Sequence, residues 1–217
     1  MAEIDLLDVL PKPQRPLGER AAAGPEDRAF HWKLGREYFD GTRAQGYGGY
    51  RLDGRWRPVA RRLADHYRLG PGSRVLDIGC AKGFLLHAFL EEVPGIEVAG
   101  LDISHYALSE APETVRRHLV LGNARQVPFP SGHFDLVFSK DSLHNILTRD
   151  ECVEALAEIE RVARGGKFIR VGAYRNAEEK AILDKWAVVA TTYLPPAEWL
   201  ELFARAGYTG DYTWFNP

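Results

Sequence analysis

Short apolar runs alternate with amphipathic helical patterns from residue 73 to the last residue, 217. Nearly continuous apolar strands separated by helices are typical of a parallel sheet covered on both faces. We therefore predict an α/β fold with a doubly wound, mostly parallel sheet of six to seven strands and helices on both faces. The predicted strands are 74–78, 98–102, 119–121, 136–139, 168–171 and 209–215, and the predicted helices between them are 84–92, 105–110, 151–163 and 197–206.

Two segments are predicted ahead of this domain, which spans residues 73–217. Residues 1–28 are predicted to be a flexible arm, because prolines and mixed charges fill its second half. Residues 29–72 are predicted to form a lid and helical segment, with an amphipathic helix over 56–69. The run GYGGY at 46–50 fits a lid with glycine hinges, or a surface loop anchored by two tyrosines, and we favour the lid.

Composition narrows the choice of partners. A net charge of −2 and a pI of about 6.4 give no global basic field that would recruit nucleic acid or an anionic membrane. The N-terminus lacks a signal-peptide pattern, and no stretch approaches the roughly 18 apolar residues of a membrane span. Cys80 and Cys152 are predicted to be reduced thiols. We expect a cytoplasmic protein whose partner is a small molecule; the oligomeric state stays open.

A strand, a glycine loop and a helix follow one another in VLDIGCAKGFLL, residues 75–86. Asp77 lies near the strand end, Gly79 permits a sharp turn, and the helix after Gly83 offers free N–H groups. Asp102 ends the next strand, 23 residues after Gly79, where a carboxylate can bind ribose hydroxyls. These features predict a site for a nucleoside-containing cofactor; the alternative is a tight turn that binds nothing.

Five motifs in order resemble those of class I S-adenosylmethionine-dependent methyltransferases. They are VLDIGCAKGFLL, GLDIS, LGNARQVPF, FDLVFSKDSLHNI and EIERVARGGKFIRV. The match runs from about 73 to 174 and, through EWLELFARAGY, toward the end. The family has a Rossmann-like sheet of seven strands, but no candidate for its last strand follows 209–215. Either the sheet is one strand short, or residues 187–194 contribute something unusual.

This resemblance implies S-adenosylmethionine as the cofactor. Asp77 and Gly79 would hold its methionine part, Asp102 would bind the ribose, and Ile103 would pack on the adenine. Asn123 stands where the family often has Asp, and its side-chain oxygen can still accept a hydrogen bond from the adenine amine. The full set of predicted cofactor residues is Asp77, Gly79, Cys80, Ala81, Gly83, Asp102, Ile103, Asn123, Ala124, Ser139, Lys140 and Tyr50.

The residues after the fourth strand are expected to face the reacting methyl group. His144 is the first candidate for a general base, and its alternative is to orient the loop. Asp141 is the second candidate; it could also be a partner of the histidine, a clamp for a substrate amine, or a helix cap. A mechanism by positioning alone stays open. No metal is predicted, because no metal-ligand spacing occurs.

The favoured interpretation is methyl transfer to an oxygen or nitrogen of a small molecule. The alternative is a non-catalytic, S-adenosylmethionine-binding regulatory or partner protein. A nicotinamide-dependent oxidoreductase is disfavoured, because residue 81 is not the second glycine of a dinucleotide fingerprint. In the segment 174–199, Trp186, Tyr193 and Trp199 are expected to wall the substrate pocket or to belong to the core.

Overall fold

A six-stranded, entirely parallel sheet forms the centre of the protein, in a computed structural model that describes residues 1–11 and 34–216. The strand order β3-β2-β1-β4-β5-β6 reverses direction between β1 and β4, which is where ligands bind in doubly wound sheets. This confirms the predicted α/β, Rossmann-like fold. The strands are β1 (Arg74–Ile78), β2 (Glu97–Asp102), β3 (Leu119–Leu121), β4 (Phe134–Lys140), β5 (Ala163–Gly172) and β6 (Asp211–Phe215).

Helices cover both faces of this sheet. Three of them, near 36, 113 and 177, are not among the helices predicted from the sequence. The α-helices are α1 (Arg36–Asp40), α2 (Arg57–Tyr67), α3 (Phe84–Glu92), α4 (His105–Ser109), α5 (Glu113–Arg116), α6 (Arg149–Val162), α7 (Ala177–Trp186) and α8 (Pro196–Ala206), with a 3-10 turn at Leu143–Asn145.

Alternate residues of the strands feed two separate cores. Phe138 and Phe168 pack on the face that carries α2 and α3, whereas Val137 and Ile169 pack on the face that carries α6 and α8. Such alternation follows from the two-residue repeat of a strand. Apolar residues therefore had to occupy consecutive positions, which is why the strands were visible as continuous apolar runs.

Helix α6 begins with a reciprocal pair of hydrogen bonds. The Glu151 N–H donates to the Thr148 hydroxyl oxygen at 3.2 Å, and the Thr148 N–H donates to the Glu151 carboxylate at 3.2 Å. This capping box was predicted from the sequence, and it satisfies two N–H groups that the helix itself leaves without partners. It fixes the direction in which α6 leaves the loop after β4.

The first eleven residues pack against the sheet edge, so the predicted flexible arm is wrong for this part of the chain. The Ile4 N–H donates to the Tyr212 carbonyl at 2.9 Å, and the Tyr212 N–H donates to the Ala2 carbonyl at 3.0 Å. Leu6 and Leu7 are buried in the core beside α2. The arm prediction overlooked two kinds of contact: hydrogen bonds to the backbone of the open sheet edge, and burial of the two leucines. The rest of the predicted arm, and residues 29–33, lie outside the described residues.

The sheet has six strands rather than seven over the described residues. β6 pairs directly with β5, and residues 187–194 contribute only an isolated bridge between Leu194 and Ala173. Cys80 and Cys152 are buried free thiols. Over the part of the chain that the structure describes, no helix is both long and apolar enough to cross a bilayer.

Candidate functional site

The loop after β1 begins with a backbone turn that requires glycine. Gly79 has a φ of +78°, and its N–H donates to the Leu101 carbonyl at 2.7 Å. A Cβ atom on Gly79 would lie 2.1 Å from the Ser142 hydroxyl oxygen. Gly83, with a φ of +69°, precedes the first residue of α3 and brings no side-chain cap. The loop therefore leaves room beside β1 and exposes the N–H groups of α3.

Asp102 lies at the end of β2, where the sequence placed it, and is buried. Its Oδ2 atom accepts a hydrogen bond from the Ala81 N–H at 2.7 Å, and its Oδ1 atom accepts one from the Ser104 N–H at 2.8 Å. These bonds fix the carboxylate against the glycine loop. Each oxygen keeps a further acceptor position, so the group can still bind two hydroxyls of a ligand.

Asp77 is buried beside the same loop, and its carboxylate accepts no hydrogen bond from any described residue. Burial, and then the charge of Asp102, raise its pKa to about 8, while Lys140 works in the opposite direction. A buried carboxylate without a donor is unfavourable on its own. A cationic ligand group nearby would stabilise its charged form.

A cavity of about 290 Å³ opens between the ends of β1, β2 and β4. Ile103 and Leu147 line it with unusually exposed apolar side chains, 61% and 60% exposed. Asn123 also lines it, and its side-chain oxygen accepts a hydrogen bond from the Arg125 N–H at 3.0 Å. The apolar surfaces and the amide suit a flat heterocycle. Leu147 was not predicted from the sequence.

The predicted cofactor residues divide into three groups around this cavity. Seven of them line it: Gly79, Ala81, Asp102, Ile103, Asn123, Ala124 and Lys140. Four others lie nearby without lining it: Asp77, Cys80, Gly83 and Ser139. The Ser139 hydroxyl donates to the Ile78 carbonyl at 2.9 Å, so its part is to join β4 to β1. Tyr50 lines a neighbouring cavity and stacks on Phe84 at 4.7 Å.

Residues 34–50 lie over this first cavity. Tyr38 and Tyr47 line it, and an aromatic cluster around Phe39 holds the segment together. The Lys82 ammonium group bonds both carboxylate oxygens of Asp40 at 2.7 Å. Lys82 is nearly buried, so this ion pair fastens α1 to the glycine loop. Sequence reasoning had suggested a lid here but had not identified the residues that tie it down.

A second cavity, of about 710 Å³, adjoins the first. Six parts of the described chain form its walls: residues 5–11, residues 38–56, residues 140–145, the end of β5, residues 183–193 and residues 214–216. The residues that line both cavities are Tyr38, Tyr47, Lys140, Asp141 and Asn145. A ligand in the first cavity and one in the second would therefore meet at the end of β4.

Asp141, a predicted candidate base, is bound by two cations. The Arg170 guanidinium donates to Oδ1 at 2.9 Å and to Oδ2 at 2.5 Å, and the Lys140 ammonium group donates to Oδ2 at 2.5 Å. Although burial alone would raise the pKa of this carboxyl, Arg170 and then Lys140 hold the pKa well below its usual range. A carboxylate so strongly stabilised is a poor proton acceptor, so the geometry favours a fixed charge over a base.

His144, the other candidate base, is also buried with one ring nitrogen engaged. Its Nδ1 atom accepts a hydrogen bond from the Gly172 N–H at 2.8 Å. Burial lowers the pKa of His144 to about 4, so the ring is neutral at pH 7 and its proton resides on Nε2. In this tautomer Nε2 donates a hydrogen bond and cannot accept a proton. The geometry therefore favours a donor over a general base.

The three aromatic residues of the segment 174–199 have different places. Trp186 and Tyr193 line the second cavity, and their predicted place in a substrate pocket stays a prediction. Trp199 is fully buried in α8, and its indole N–H donates to the Gly172 carbonyl at 2.9 Å, so it belongs to the core.

Known proteins resemble this chain in sequence and in fold. A methyltransferase-domain family model matches residues 75–166. A demethylmenaquinone methyltransferase of Symbiobacterium thermophilum is 30% identical over 173 residues, which cover 75% of this chain and 67% of that protein. A nocamycin O-methyltransferase of Saccharothrix syringae is 40% identical over 89 residues, but these cover 38% of this chain and only 32% of that protein.

The structure of the YcgJ protein from Bacillus subtilis superimposes with a TM-score of 0.56 at 20% identity, over 68% of this chain and 66% of that one, and it supports the fold alone. The glycine loop, the carboxylate that ends β2 and the sequence relatives all point to the same family. The chain belongs to the class I S-adenosylmethionine-dependent methyltransferases.

Proposed function

We propose that this protein transfers a methyl group from S-adenosylmethionine to an oxygen or nitrogen atom of a small molecule. The observation that carries the proposal is the junction of two cavities at the end of β4. A cavity of about 290 Å³ offers cofactor chemistry, and one of about 710 Å³ leaves space for an acceptor of moderate size. Transfer between two bound molecules needs such a junction.

The residues of the smaller cavity fit S-adenosylmethionine. The Asp102 carboxylate keeps acceptor positions for the ribose hydroxyls, and Ile103 and Leu147 offer apolar surface to the adenine. Beside the cavity, the buried Asp77 carboxylate, which accepts no hydrogen bond from a described residue, would be stabilised by the cofactor's ammonium group. When bound, the cofactor supplies an electrophilic methyl group on a positively charged sulfur.

The protein's own residues position the reactants and exclude water. Tyr38 and Tyr47 reach both cavities from the segment above, so they would separate the reacting atoms from solvent. The fixed charge of Asp141 holds Lys140 and Arg170 at the junction. His144 would donate a hydrogen bond from Nε2 to an acceptor atom. These roles describe catalysis by orientation, with no side chain required to remove a proton.

Cofactor binding is the first test. Titration calorimetry with S-adenosylhomocysteine should show one site per chain, and Asp102→Ala should weaken it on the order of 100-fold, because two buried charge-assisted hydrogen bonds are lost. The control Asp65→Ala removes an exposed carboxylate of α2 and should leave the affinity unchanged. An Asp102→Ala variant that binds as tightly as the wild type would refute the ribose assignment.

Turnover is the second test. The protein is incubated with S-adenosylmethionine and a set of small phenols, enols, carboxylates and amines, and S-adenosylhomocysteine is measured. We expect acceptor-dependent product with at least one class. Tight cofactor binding without turnover on any of them would instead support the non-catalytic alternative.

A further inference from the structure

Two consecutive polar side chains lie where the cavities meet. Asn145 lines both cavities, whereas His144 lines the larger one and not the smaller. His144 is only 7% exposed, and Asn145 is half-buried. Since consecutive Cα atoms are only about 3.8 Å apart, one small molecule can contact both side chains. It would meet Asn145 at the junction and His144 on the acceptor side.

The 3-10 turn that carries both residues is held from a distant part of the chain. The His144 carbonyl accepts hydrogen bonds from the N–H groups of Thr191 and Thr192, both at 2.9 Å. The hydroxyls of these two threonines donate to the Ile146 carbonyl at 2.8 and 2.6 Å. A turn that is already fixed loses little freedom when a ligand binds, so its side chains can discriminate between ligands.

The His144 ring offers a hydrogen-bond donor to the larger cavity. The Gly172 N–H donates to Nδ1 at 2.8 Å, and because a backbone N–H group can only donate, Nδ1 must be the unprotonated nitrogen of a neutral ring. The ring proton is therefore on Nε2, which bonds no residue that the structure describes. A nearly buried N–H group is unfavourable without an acceptor, so Nε2 suits a carbonyl oxygen of a ligand.

The Asn145 side chain offers the opposite polarity. Its Nδ2 atom donates to the Asp141 carbonyl at 3.2 Å. Because a carbonyl oxygen can only accept, this contact determines which end of the amide is nitrogen. Across residues 1–11 and 34–216, no group donates to its Oδ1 atom. That oxygen can therefore accept a hydrogen bond from an O–H or N–H group of a ligand.

Resting on the proposed methyl transfer, we propose that Asn145 and His144 select an acceptor that carries an O–H or N–H group close to a carbonyl oxygen. Asn145 Oδ1 accepts the hydrogen bond at the junction, so the O–H or N–H group lies within reach of the methyl group. His144 Nε2–H donates to the carbonyl oxygen on the acceptor side. A molecule that lacks either group leaves a buried polar atom of the protein unpaired and binds more weakly. Both residues act by positioning the acceptor.

Matched probes test the two contacts separately, with S-adenosylhomocysteine bound. The complete probe, meta-hydroxyacetophenone, carries both groups, and its meta arrangement prevents them from bonding each other. The probe meta-methoxyacetophenone lacks the O–H donor, and meta-ethylphenol lacks the carbonyl. Ligand-observed NMR measures the dissociation constants. We expect the complete probe to bind at about 1 mM or tighter, and each incomplete probe at least about fivefold more weakly.

A fourth probe, meta-aminoacetophenone, offers N–H in place of O–H. Tighter binding of the amino probe than of the hydroxyl probe would identify an amine as the preferred acceptor group, and the reverse order would identify a hydroxyl. Either order supports the hydrogen-bond pattern, provided that both probes bind more tightly than meta-methoxyacetophenone.

Variants of the two residues should each remove one preference. Asn145→Leu keeps the size of the side chain but removes Oδ1, so it should abolish the preference for the hydroxyl over the methoxy probe and keep the preference for the carbonyl. His144→Asn keeps an acceptor near the Nδ1 position for the Gly172 N–H but has no donor at the Nε2 position, so only the carbonyl preference should disappear. His144→Gln places an N–H group near the Nε2 position and should restore part of that preference.

A merely structural role of either residue would weaken the binding of all probes alike. The control Gln126→Leu removes an exposed amide outside the lining of both cavities and should change neither preference. Unchanged S-adenosylhomocysteine affinity and melting temperature identify variants that fold normally. The wild-type affinities alone are decisive if a variant does not fold.

Several results would overturn the proposed selection. They are equal wild-type affinities for the complete and the incomplete probes, no binding of the complete probe, or an Asn145→Leu variant that loses the carbonyl preference instead of the hydroxyl preference. A folded His144→Asn variant that keeps the carbonyl preference would equally contradict it. Failure of the wild type to bind S-adenosylhomocysteine would instead refute the proposed function, and probe affinities measured without that ligand keep the two failures apart.

Discussion

Two constraints require glycine at position 79: the backbone angle and the lack of space for a side chain. A φ of +78° disfavours every L-residue with a Cβ, and that atom would also lie 2.1 Å from the Ser142 hydroxyl oxygen. We expect Gly79→Ala to destabilise the protein by about 2–4 kcal/mol and to abolish most cofactor binding. Gly70→Ala is the control, because nothing lies within 4 Å of its added carbon. Urea unfolding and calorimetry measure both effects; equal unfolding midpoints for the two variants would contradict the argument.

The buried His144 gives the protein an acid sensitivity of known sign. Its pKa is about 4 in the folded state, below the ordinary value of 6.5, so the unfolded chain binds the proton first as the pH falls. His144 therefore lowers stability progressively from pH 6.5 down through pH 4. Against His144→Asn, which keeps an acceptor near the Nδ1 position, the wild type should lose about 2 kcal/mol more between pH 7 and pH 5. Parallel loss in both proteins, in urea titrations, would show that His144 is not the source.

Single residues were predictable where a local pattern places them. Gly79 and Asp102 follow directly from the strand and loop spacing, and the structure brings both to the cavity. Tyr38, Leu147 and Lys82 carry no such pattern, since their places depend on how segments far apart in sequence pack together. Aromatic and aliphatic residues are far commoner as core than as site residues, so type alone could not distinguish them.

At the scale of elements, the ion pair between Lys82 and Asp40 connects α1 to the glycine loop. Among the described residues, Lys82→Met leaves Asp40 with the Tyr106 hydroxyl as its one side-chain donor, at 2.6 Å. We expect amide hydrogen exchange in residues 36–50 to quicken about tenfold and the affinity for S-adenosylhomocysteine to fall several-fold, because the covering segment opens more often.

Lys167→Met is the matched control for that experiment. Lys167 is similarly buried and lies 2.9 Å from Glu160, but it lines neither cavity. It should leave exchange in residues 36–50 unchanged. If both variants quicken exchange there equally, the ion pair does not hold the segment.

Element boundaries were predicted least well where close packing overrides the apolar pattern. β5 begins at Ala163, five residues before the predicted start at 168. Gly165 and Gly166 occupy the missed part, and a Cβ on Gly165 would lie 2.4 Å from the Asp135 carbonyl oxygen. Glycines required by a neighbouring strand give no apolar signal, so the strand was invisible there. By contrast, Thr148 and Glu151 correctly predicted where α6 begins, because a capping box is a local sequence pattern.

At the scale of the whole molecule, the doubly wound sheet was predictable because each strand and helix has a hydrophobic pattern within consecutive residues. The docking of residues 1–11 was not, since the partner of Ile4 is Tyr212, at the other end of the chain. The larger cavity has the same origin: its walls come from segments distant in sequence. A single sequence predicts the individual segments but not the contacts between segments that are far apart in the chain.

The N-terminal segment should contribute measurably to stability. Leu7 is 3% exposed in the core, so Leu7→Ser should cost about 2–4 kcal/mol through lost burial and a buried hydroxyl. Leu52→Ser, at a leucine that is 43% exposed, should cost under about 1 kcal/mol. Urea midpoints compare the two. A Leu7→Ser variant as stable as Leu52→Ser would mean that the segment is held by its backbone bonds alone.

The pairing of Ile4 with Tyr212 also sets an order of events during synthesis. Every residue lining the smaller cavity has been made once Glu151 is in place. The larger cavity also needs residues 5–11, which pair through Ile4 with the strand containing Tyr212, and that strand is made later. Synthesis thus supplies the described walls of the smaller cavity before those of the larger one.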